Sequence, residues 1–542
     1  MSEAGSKPIG AASMDVVVVG GGFAGLYMLH KLRGLGFSAR VFEAGSGIGG
    51  TWFWNRYPGA RVDIQSLEYS YQFDEELQQE WQWSERYAPQ AELLTYANHV
   101  ADRFNLWPDI QLNTRVTGAH FNEDTGRWAV ETDKGDKIDA GNVVMATGCL
   151  SSTNTPNFEG LGSFKGRTFH TGRWPTEPVD FTGRRVGIIG TGSSAIQSIP
   201  IIAQQAKHLT VFQRTPNYSV PAHNGPIPEE VVKDIKSRYP AFRAANMNTA
   251  LGADWGYRED NAMDATPEER EAEYEARWQR GGLSIYGSYA DILTNPEANE
   301  TAAEFIRNKI RQIVKDPAVA AKLLPTTFVG CKRVCVDTGY YATYNRDNVT
   351  LVDVKAAPIQ AITPTGLRTA DASYEFDDLI FATGFDAMTG ALTRMDIRGR
   401  KNVLLKDAWA EGPKSYLGLQ VVGFPNLFII TGPGSPSVLT NMLPSIEQHV
   451  NWIGKALSDM REKKVALIEA TQEAQDAWVN HVNETAAPTI LPTCNSWYLG
   501  ANVPGKPRVF MPYLGFAPYV EKCNEVAANG YEGFALTPAK AG

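Results

Sequence analysis

A chain of 542 residues exceeds what one hydrophobic core organises and implies about two to four domains. With 43% hydrophobic and 20% charged residues it has an ordinary globular composition, and a net charge of -9 with no long Lys/Arg cluster argues against a nucleic-acid binder, which needs a basic face for the phosphates. No uninterrupted apolar run approaches the ~18 residues of a spanning helix, and the opening MSEAGSKPIG lacks an apolar signal core, so no membrane contact and a cytoplasmic setting are expected. Five cysteines, Cys149, Cys331, Cys335, Cys494 and Cys523, include no CxxC pair. They fit neither a disulfide framework nor a zinc site, so all are expected to be reduced, with no metal and no cysteine nucleophile.

Residues 1–13 are small and polar, which predicts a disordered tail. From Met14, MDVVVVGGGFAGLYMLHKLRGLGFSARVFEAG predicts strand, glycine turn, helix and second strand, with Leu26, Leu29, Leu32 and Leu35 in i+3 steps. The turn is Gly20-x-Gly22-x-x-Gly25. Its first two glycines permit the bend and a close backbone approach to a pyrophosphate, Gly25 lets helix pack on strand, and Phe23 and Ala24 begin the helix whose N-terminus faces the phosphates. Glu43 closes the second strand, where a carboxylate accepts hydrogen bonds from a ribose diol.

A second unit, GRRVGIIGTGSSAIQSIPIIAQQAKHLTVFQRT (183–215), carries Gly190-x-Gly192-x-x-Ala195, with Thr191, Ser193, Ser194 and Gln197 expected along the cofactor. Where a carboxylate would serve an unphosphorylated ribose, this strand ends in Gln213, Arg214 and Thr215. Arg214 can pair with a 2′-phosphate in a bidentate way and Thr215 can donate a hydrogen bond, which selects NADPH. The runs AGNVVMATGC (140–149) and DDLIFATGF (377–385) resemble one another, and each is expected to close one nucleotide fold. Between them, 224–330 holds the helix starts PIPEEVVKDI, TPEEREAEYEARW, NPEANETAAEFIRNKI and DPAVAAKLL, with proline in the first turn or capping residues before it. The expected architecture is α/β: two Rossmann-like doubly wound dinucleotide-binding domains with a helical insertion. FAD is expected on 14–150 with 385–542, NADP on 151–223 with 331–384, and the insertion at 224–330.

Two such folds with opposite ribose chemistry imply two cofactors exchanging electrons, most simply a flavoprotein that takes hydride from a nicotinamide. Lack of CxxC removes disulfide reductases and leaves N-hydroxylases and carbonyl-attacking oxygenases. In GGTWFWNRYPGARVD (49–63), two glycines allow close contact with the flavin dinucleotide, Trp52 and Trp54 offer flat apolar surface, and Tyr57-Pro58-Gly59 makes a rigid turn. Arg56, Arg61 and Asp63 place charges beside that surface. FKGRTFHTGRWP (164–175) shows no helical or strand period and reads as a connector, turned at Gly166 and Pro175. His170 has an ordinary titration near neutral pH, yet its position between the two folds favours a structural or coupling role over that of a general base.

The two stretches resemble the long and short fingerprints of the type I Baeyer–Villiger monooxygenases: Gly49, Gly50, Trp52, Tyr57, Pro58, Gly59 and Asp63 for the first, and Phe164, Gly166, His170, Trp174 and Pro175 for the second. The similarity covers nearly the whole chain and is strongest to the phenylacetone, steroid and cyclohexanone monooxygenases of that family. It implies that NADPH reduces FAD, that O₂ adds as a C4a-peroxide, and that the peroxyanion attacks a cyclic, aryl or steroid ketone to give an ester or lactone, with sulfides as further substrates. It also implies a site. Arg333 in GCKRVCVDTGYY matches the active-site arginine, Asp63 its carboxylate partner, and Lys332 a contact to the NADP phosphate. Gly50, Thr51, Trp52, Tyr69, Val116 and Met442 fall against the cofactors, and SPSVLTNM (435–442) supplies Val438, Leu439 and Met442 to a substrate pocket with Cys149 and Leu150. Cys149 stands where the phenylacetone-oxidising relatives carry a glutamine. NSWYLGANVPGK, with Trp497, resembles the family's loop that closes over the nicotinamide. Cys331 and Cys335, spaced as helical metal ligands could be, lack further ligands and read as packing beside Arg333. A monomer or weak homo-oligomer is expected. The alternatives are a flavin monooxygenase acting on nitrogen or sulfur atoms and a non-catalytic redox flavoprotein.

Overall fold

The computed structural model describes residues 12–539. The expected N-terminal tail lies outside this range except for Ala12 and Ser13, which open the first strand, Ala12–Val19. Helix Phe23–Gly34 and strand Ala39–Phe42 complete the first unit, with Leu26, Leu29 and Leu32 fully buried and Leu35 just past the helix end. Gly25 makes the strand-to-helix turn possible, because a Cβ there would stand 1.9 Å from the Gly20 carbonyl oxygen.

Ala12–Val19 pairs in parallel with Ala39–Phe42 on one side and Lys137–Met145 on the other. The sheet has eight strands. Arg127–Thr132 and Val116–Asn122 extend it antiparallel. Asp396–Arg398 joins Val116–Asn122, and Leu427–Ile429 joins Lys137–Met145, so late segments of the chain return to the first sheet. The 21-residue helix Met442–Glu462 packs against Phe23–Gly34, where Tyr27 donates to Asn451 Oδ1 at 2.8 Å.

The second sheet has five strands, all parallel, in the order Val349–Asp353, His208–Gln213, Arg185–Ile189, Asp378–Phe381, Arg167–His170. The last of these corrects the reading of FKGRTFHTGRWP as a connector: its centre is an edge strand. Four residues are too few to display a period of two. What holds them is tertiary, since Arg167 and Arg184 both chelate the fully buried side chain of Asp378. All-parallel strands need apolar cover on both faces, and one contiguous apolar cluster runs from Val16 and Leu26 to Ile188 and Ile199, joining the two units.

Inserted between strands His208–Gln213 and Val349–Asp353 of the second sheet, Glu229–Ser237, Tyr239–Met247, Pro267–Arg280, Pro296–Ile313 and Pro317–Leu323 form the expected helical region. Thr266 and Glu269 make a capping box, and Asn295 and Asp316 cap the next two helices, so the starts were written locally. Arg243 ties this region to the first unit by donating to the Glu68 carbonyl and Ser70 Oγ. Two antiparallel pieces had no counterpart in the sequence reading: the meander 359–375, and the pairing of Val465–Ala470 with Phe534–Pro538. Among the described residues no helix is long and apolar enough to cross a membrane.

Candidate active site

Both glycine turns open on one cavity of about 680 Å³. Helices Phe23–Gly34 and Ser193–Gln205 begin at Gly22 and Gly192 with no side-chain cap, leaving their first N–H groups to whatever fills the space. The two glycine loops of the first unit touch, since a Cβ on Gly50 would lie 2.9 Å from Gly22 Cα. Glu43 is fixed at the wall by Gly21 N–H to Oε2 and Gly45 N–H to Oε1, both 2.7 Å, and burial raises its pKa against those bonds. Thr51, Trp52, Tyr69, Val116 and Met442 line the same space with Gly20, Phe23 and Ala24, and Trp52 Nε1 donates to the Tyr69 hydroxyl at 3.2 Å.

Asp63 and Arg333, 270 positions apart in the chain, meet on the cavity wall. Arg333 Nε donates to Asp63 Oδ2 at 2.5 Å and Nη2 to Oδ1 at 3.1 Å, while Nη1 donates to the Val438 carbonyl at 3.1 Å. Burial acts to lower the guanidinium pKa, but the Asp63 charge and hydrogen bonds outweigh it and the net shift is upward. The group is a fixed cation with no capacity to act as an acid. Val438 therefore has a part that its apolar side chain did not announce, as the carbonyl that orients the arginine.

Gly192, Ser193, Gln197, Lys332 and Trp497 also line the cavity, as do Cys149, Leu150 and Val438. Gly25, Gly190, Thr191, Ser194, Thr215, Arg214 and Leu439 do not. Gly25 and Gly190 shape the turns from behind, Thr191 Oγ1 donates to the Thr215 carbonyl, and Ser194 Oγ pairs with Thr171 Oγ1 at 3.0 Å. Leu439 packs in the apolar cluster with Cys149 and Val438. Arg214 is exposed, but its charge, after burial, lowers the pKa of Lys332. Among the described residues neither cation forms an ion pair with a carboxylate, which suits a phosphate between them.

The two fingerprint stretches contact one another and both units. Trp174 N–H donates to the Trp54 carbonyl at 3.3 Å, and the Trp174 ring stacks on Phe169. Tyr57, read only as part of a turn, donates to Gln197 Oε1 at 2.8 Å and so bridges the first unit to the second helix. Phe164 packs under the second sheet beside Ile189, and a Cβ at Gly166 would meet the Asp377 carbonyl. His170 Nδ1 accepts from Gly172 N–H at 3.0 Å, so the ring proton sits on Nε2, facing the Asn154 carbonyl at 3.4 Å. Burial lowers its pKa, and it does not line the cavity.

The cysteines depart from expectation. Cys331 and Cys494 form a disulfide, Cα to Cα 5.3 Å, while Cys149, Cys335 and Cys523 are free and buried. Nothing in the spacing of 163 residues signalled the bond, which depends on tertiary approach. Cys335 lies in the strand Cys335–Asp337, so the helical i,i+4 arrangement with Cys331 does not form. Its thiol meets Ser193 Oγ and Asn217 Nδ2, and burial pushes its pKa up to about 12.

Two uncapped helix ends, one beside an anchored carboxylate and one beside unpaired cations, define a flavoprotein that works with a nicotinamide dinucleotide. Residues 17–245 match the family described as pyridine nucleotide-disulphide oxidoreductase. A Baeyer-Villiger monooxygenase from Pseudooceanicola batsensis is 46% identical over 97% of this chain and 96% of its own. An oxidized steroid monooxygenase bound to NADP superposes with a TM-score of 0.93 at 50% identity, covering 97% of this chain and 100% of that one. A closed cyclohexanone monooxygenase does so at 0.95 and 42%, covering 98% and 100%. The chain belongs to the Baeyer–Villiger monooxygenases, flavoenzymes that use FAD and NADP.

Proposed function

We propose that this protein oxidises a small ketone to an ester or lactone with NADPH and O₂, forming NADP⁺ and water. The observation that carries the reading is the bidentate Arg333–Asp63 pair on the wall of a cavity reached by both glycine turns. FAD would lie along Gly20–Gly25, Glu43 and the Gly50–Trp52 turn. NADPH would lie along Gly190–Ala195, with Lys332 and Arg214 on its 2′-phosphate. When bound, the flavin takes hydride from NADPH and activates O₂ for insertion beside a carbonyl.

The work of the chain itself follows from its side chains. Arg333 supplies positive charge to an anionic oxygen nucleophile without offering a proton that would quench it. Asp63 and the Val438 carbonyl hold the guanidinium in one orientation. Cys149, Leu150, Val438 and Met442 give the ketone an apolar wall and exclude water. Burial pushes the Cys149 thiol up to about 11, so it is neutral and packs as a small apolar group. The Trp497 segment closes over the nicotinamide, and His170 holds the second sheet to its neighbours as a structural group. The division into 14–150 with 385–542, 151–223 with 331–384 and 224–330 assigns the two cofactors to the two sheets and the helices to a cover. A cytoplasmic monomer or weak homo-oligomer completes the reading.

The test is a screen of NADPH consumption by the purified FAD-loaded enzyme against cyclohexanone, phenylacetone, progesterone and a thioether, with products identified by mass spectrometry. Ketones that gain one oxygen as esters or lactones support the proposal. Oxygen transfer to the thioether with no ketone product would replace it by the nitrogen- or sulfur-directed alternative.

A further inference from the structure

The Cys331–Cys494 bond joins two parts of the cavity wall that lie 163 residues apart in the chain. Cys331 directly precedes Lys332 and Arg333, and Cys494 stands three residues before Trp497. Lys332, Arg333 and Trp497 all line the cavity. Beyond Trp497, residues 500–508 are held to Asn154 and to 385–386 by polar contacts: Asn154 Nδ2 to the Asn502 carbonyl at 2.9 Å, Asn502 Nδ2 to the Phe385 carbonyl at 2.7 Å, and Lys506 Nζ to Asp386 Oδ1 at 2.7 Å. The segment has little regular structure, a single short 3-10 turn at Trp497–Leu499. Stretches with few regular hydrogen bonds open at low free energy, and a covalent cross-link is what removes that freedom.

We infer that Cys331 and Cys494 are a redox latch: oxidation pins the Trp497 segment to the Arg333 loop, and reduction releases it. The inference rests on the reading that this segment closes over the nicotinamide. A thiol pair in a reducing compartment is reversible and regulatory more often than structural. The oxidant is hydrogen peroxide, formed from NADPH and O₂ when oxygen activation is not followed by transfer to a ketone. The Cys331 thiolate attacks one peroxide oxygen. The O–O bond breaks, leaving a sulfenic acid on Cys331 and, after protonation, one water. The Cys494 sulfur then attacks the sulfenic sulfur, the S–O bond breaks, and the departing hydroxide takes the Cys494 proton as a second water. Two thiols and one peroxide become one disulfide and two waters, and a small dithiol reductant reverses the change. Wasted turnover thereby locks the lid of the site that produced it.

The experiment uses the full-length FAD-loaded enzyme treated with hydrogen peroxide or with dithiothreitol. Alkylation under denaturing conditions followed by intact mass should find three modified cysteines after peroxide and five after reduction, with the linked peptides mapping to Cys331 and Cys494. Hydrogen exchange over 494–508, measured without nucleotide, should be on the order of tenfold faster in the reduced enzyme. Cys494→Ser and Cys331→Ser should hold the fast rate in either treatment, and the wild-type comparison stands if a variant fails to fold. NADP⁺ release, followed by stopped flow, should accelerate on reduction. Five alkylated cysteines after peroxide, a different linked pair, or equal exchange in both states would overturn the latch. Exchange that responds while NADP⁺ release does not would uphold the latch and overturn the closure of this segment over the nicotinamide.

Discussion

Replacing Arg333 with alanine separates the two halves of the proposed cycle. The substitution removes three hydrogen bonds, two to Asp63 and one to the Val438 carbonyl. Breaking a buried ion pair from one side costs about 3–5 kcal/mol, but the Asp63 side chain is 28% exposed and solvent screens what remains, so a loss nearer ~2 kcal/mol is expected. Against a typical stability of roughly 5–15 kcal/mol the variant stays folded. Loss of a preorganised donor to an oxygen anion costs on the order of 10²–10³ in rate. Anaerobic mixing with NADPH should therefore bleach the flavin within about threefold of the wild-type rate, while ester formation falls on the order of 10²–10³ and O₂ is returned as hydrogen peroxide. Arg333→Lys keeps the charge but can fill only part of the three-bond arrangement, and belongs closer to the alanine variant than to wild type. Ester formation at the wild-type rate in Arg333→Ala would refute the assignment. Equal losses in flavin reduction and ester formation would refute it differently, by placing Arg333 in nicotinamide binding alone.

Arg214→Ala should raise KM for NADPH by about 10- to 100-fold, the worth of a charge-assisted hydrogen bond to a phosphate, and leave KM for NADH nearly unchanged; steady-state kinetics with both nucleotides check this. His449 lies beneath the site, accepting from Thr431 N–H at Nδ1 and donating from Nε2 to the Tyr519 hydroxyl, and burial pushes its pKa down to about 3. Because the unfolded chain binds a proton near pH 6.5 that the folded protein refuses, its contribution is full above that pH and shrinks on acidification by about 1.4 kcal/mol per pH unit. Urea unfolding of wild type and His449→Gln should therefore show a stability difference that is constant above pH 6.5 and falls toward pH 3. A difference independent of pH would refute the neutral buried imidazole.

The glycine spacings at Gly20–Gly25 and Gly190–Ala195, the apolar strand before each, and the carboxylate or arginine after each were legible in the sequence because they are local. A turn too tight for a Cβ and a helix whose first N–H groups need an anion are settled within a few residues. The helix starts of 224–330 were legible for the same reason, since proline and capping side chains act on their own turn. The Arg333–Asp63 pairing was named only through resemblance, because 270 residues of chain say nothing by themselves about which carboxylate a buried arginine meets.

Tertiary structure alone decided the rest. The Val438 carbonyl became a partner of Arg333 because the 435–442 loop folds over it, and Tyr57 became a bridge because Gln197 lies opposite. Arg167–His170 became a strand because Asp378–Phe381 offered it an edge. The odd count of cysteines argued against a disulfide, yet Cys331 and Cys494 were brought to bonding distance by packing that no spacing rule encodes. Short-range sterics determine which cofactor folds this chain can make. Contacts across hundreds of residues, set by how the two sheets and their helices pack, determine where the charge and the cross-link of its site come to lie.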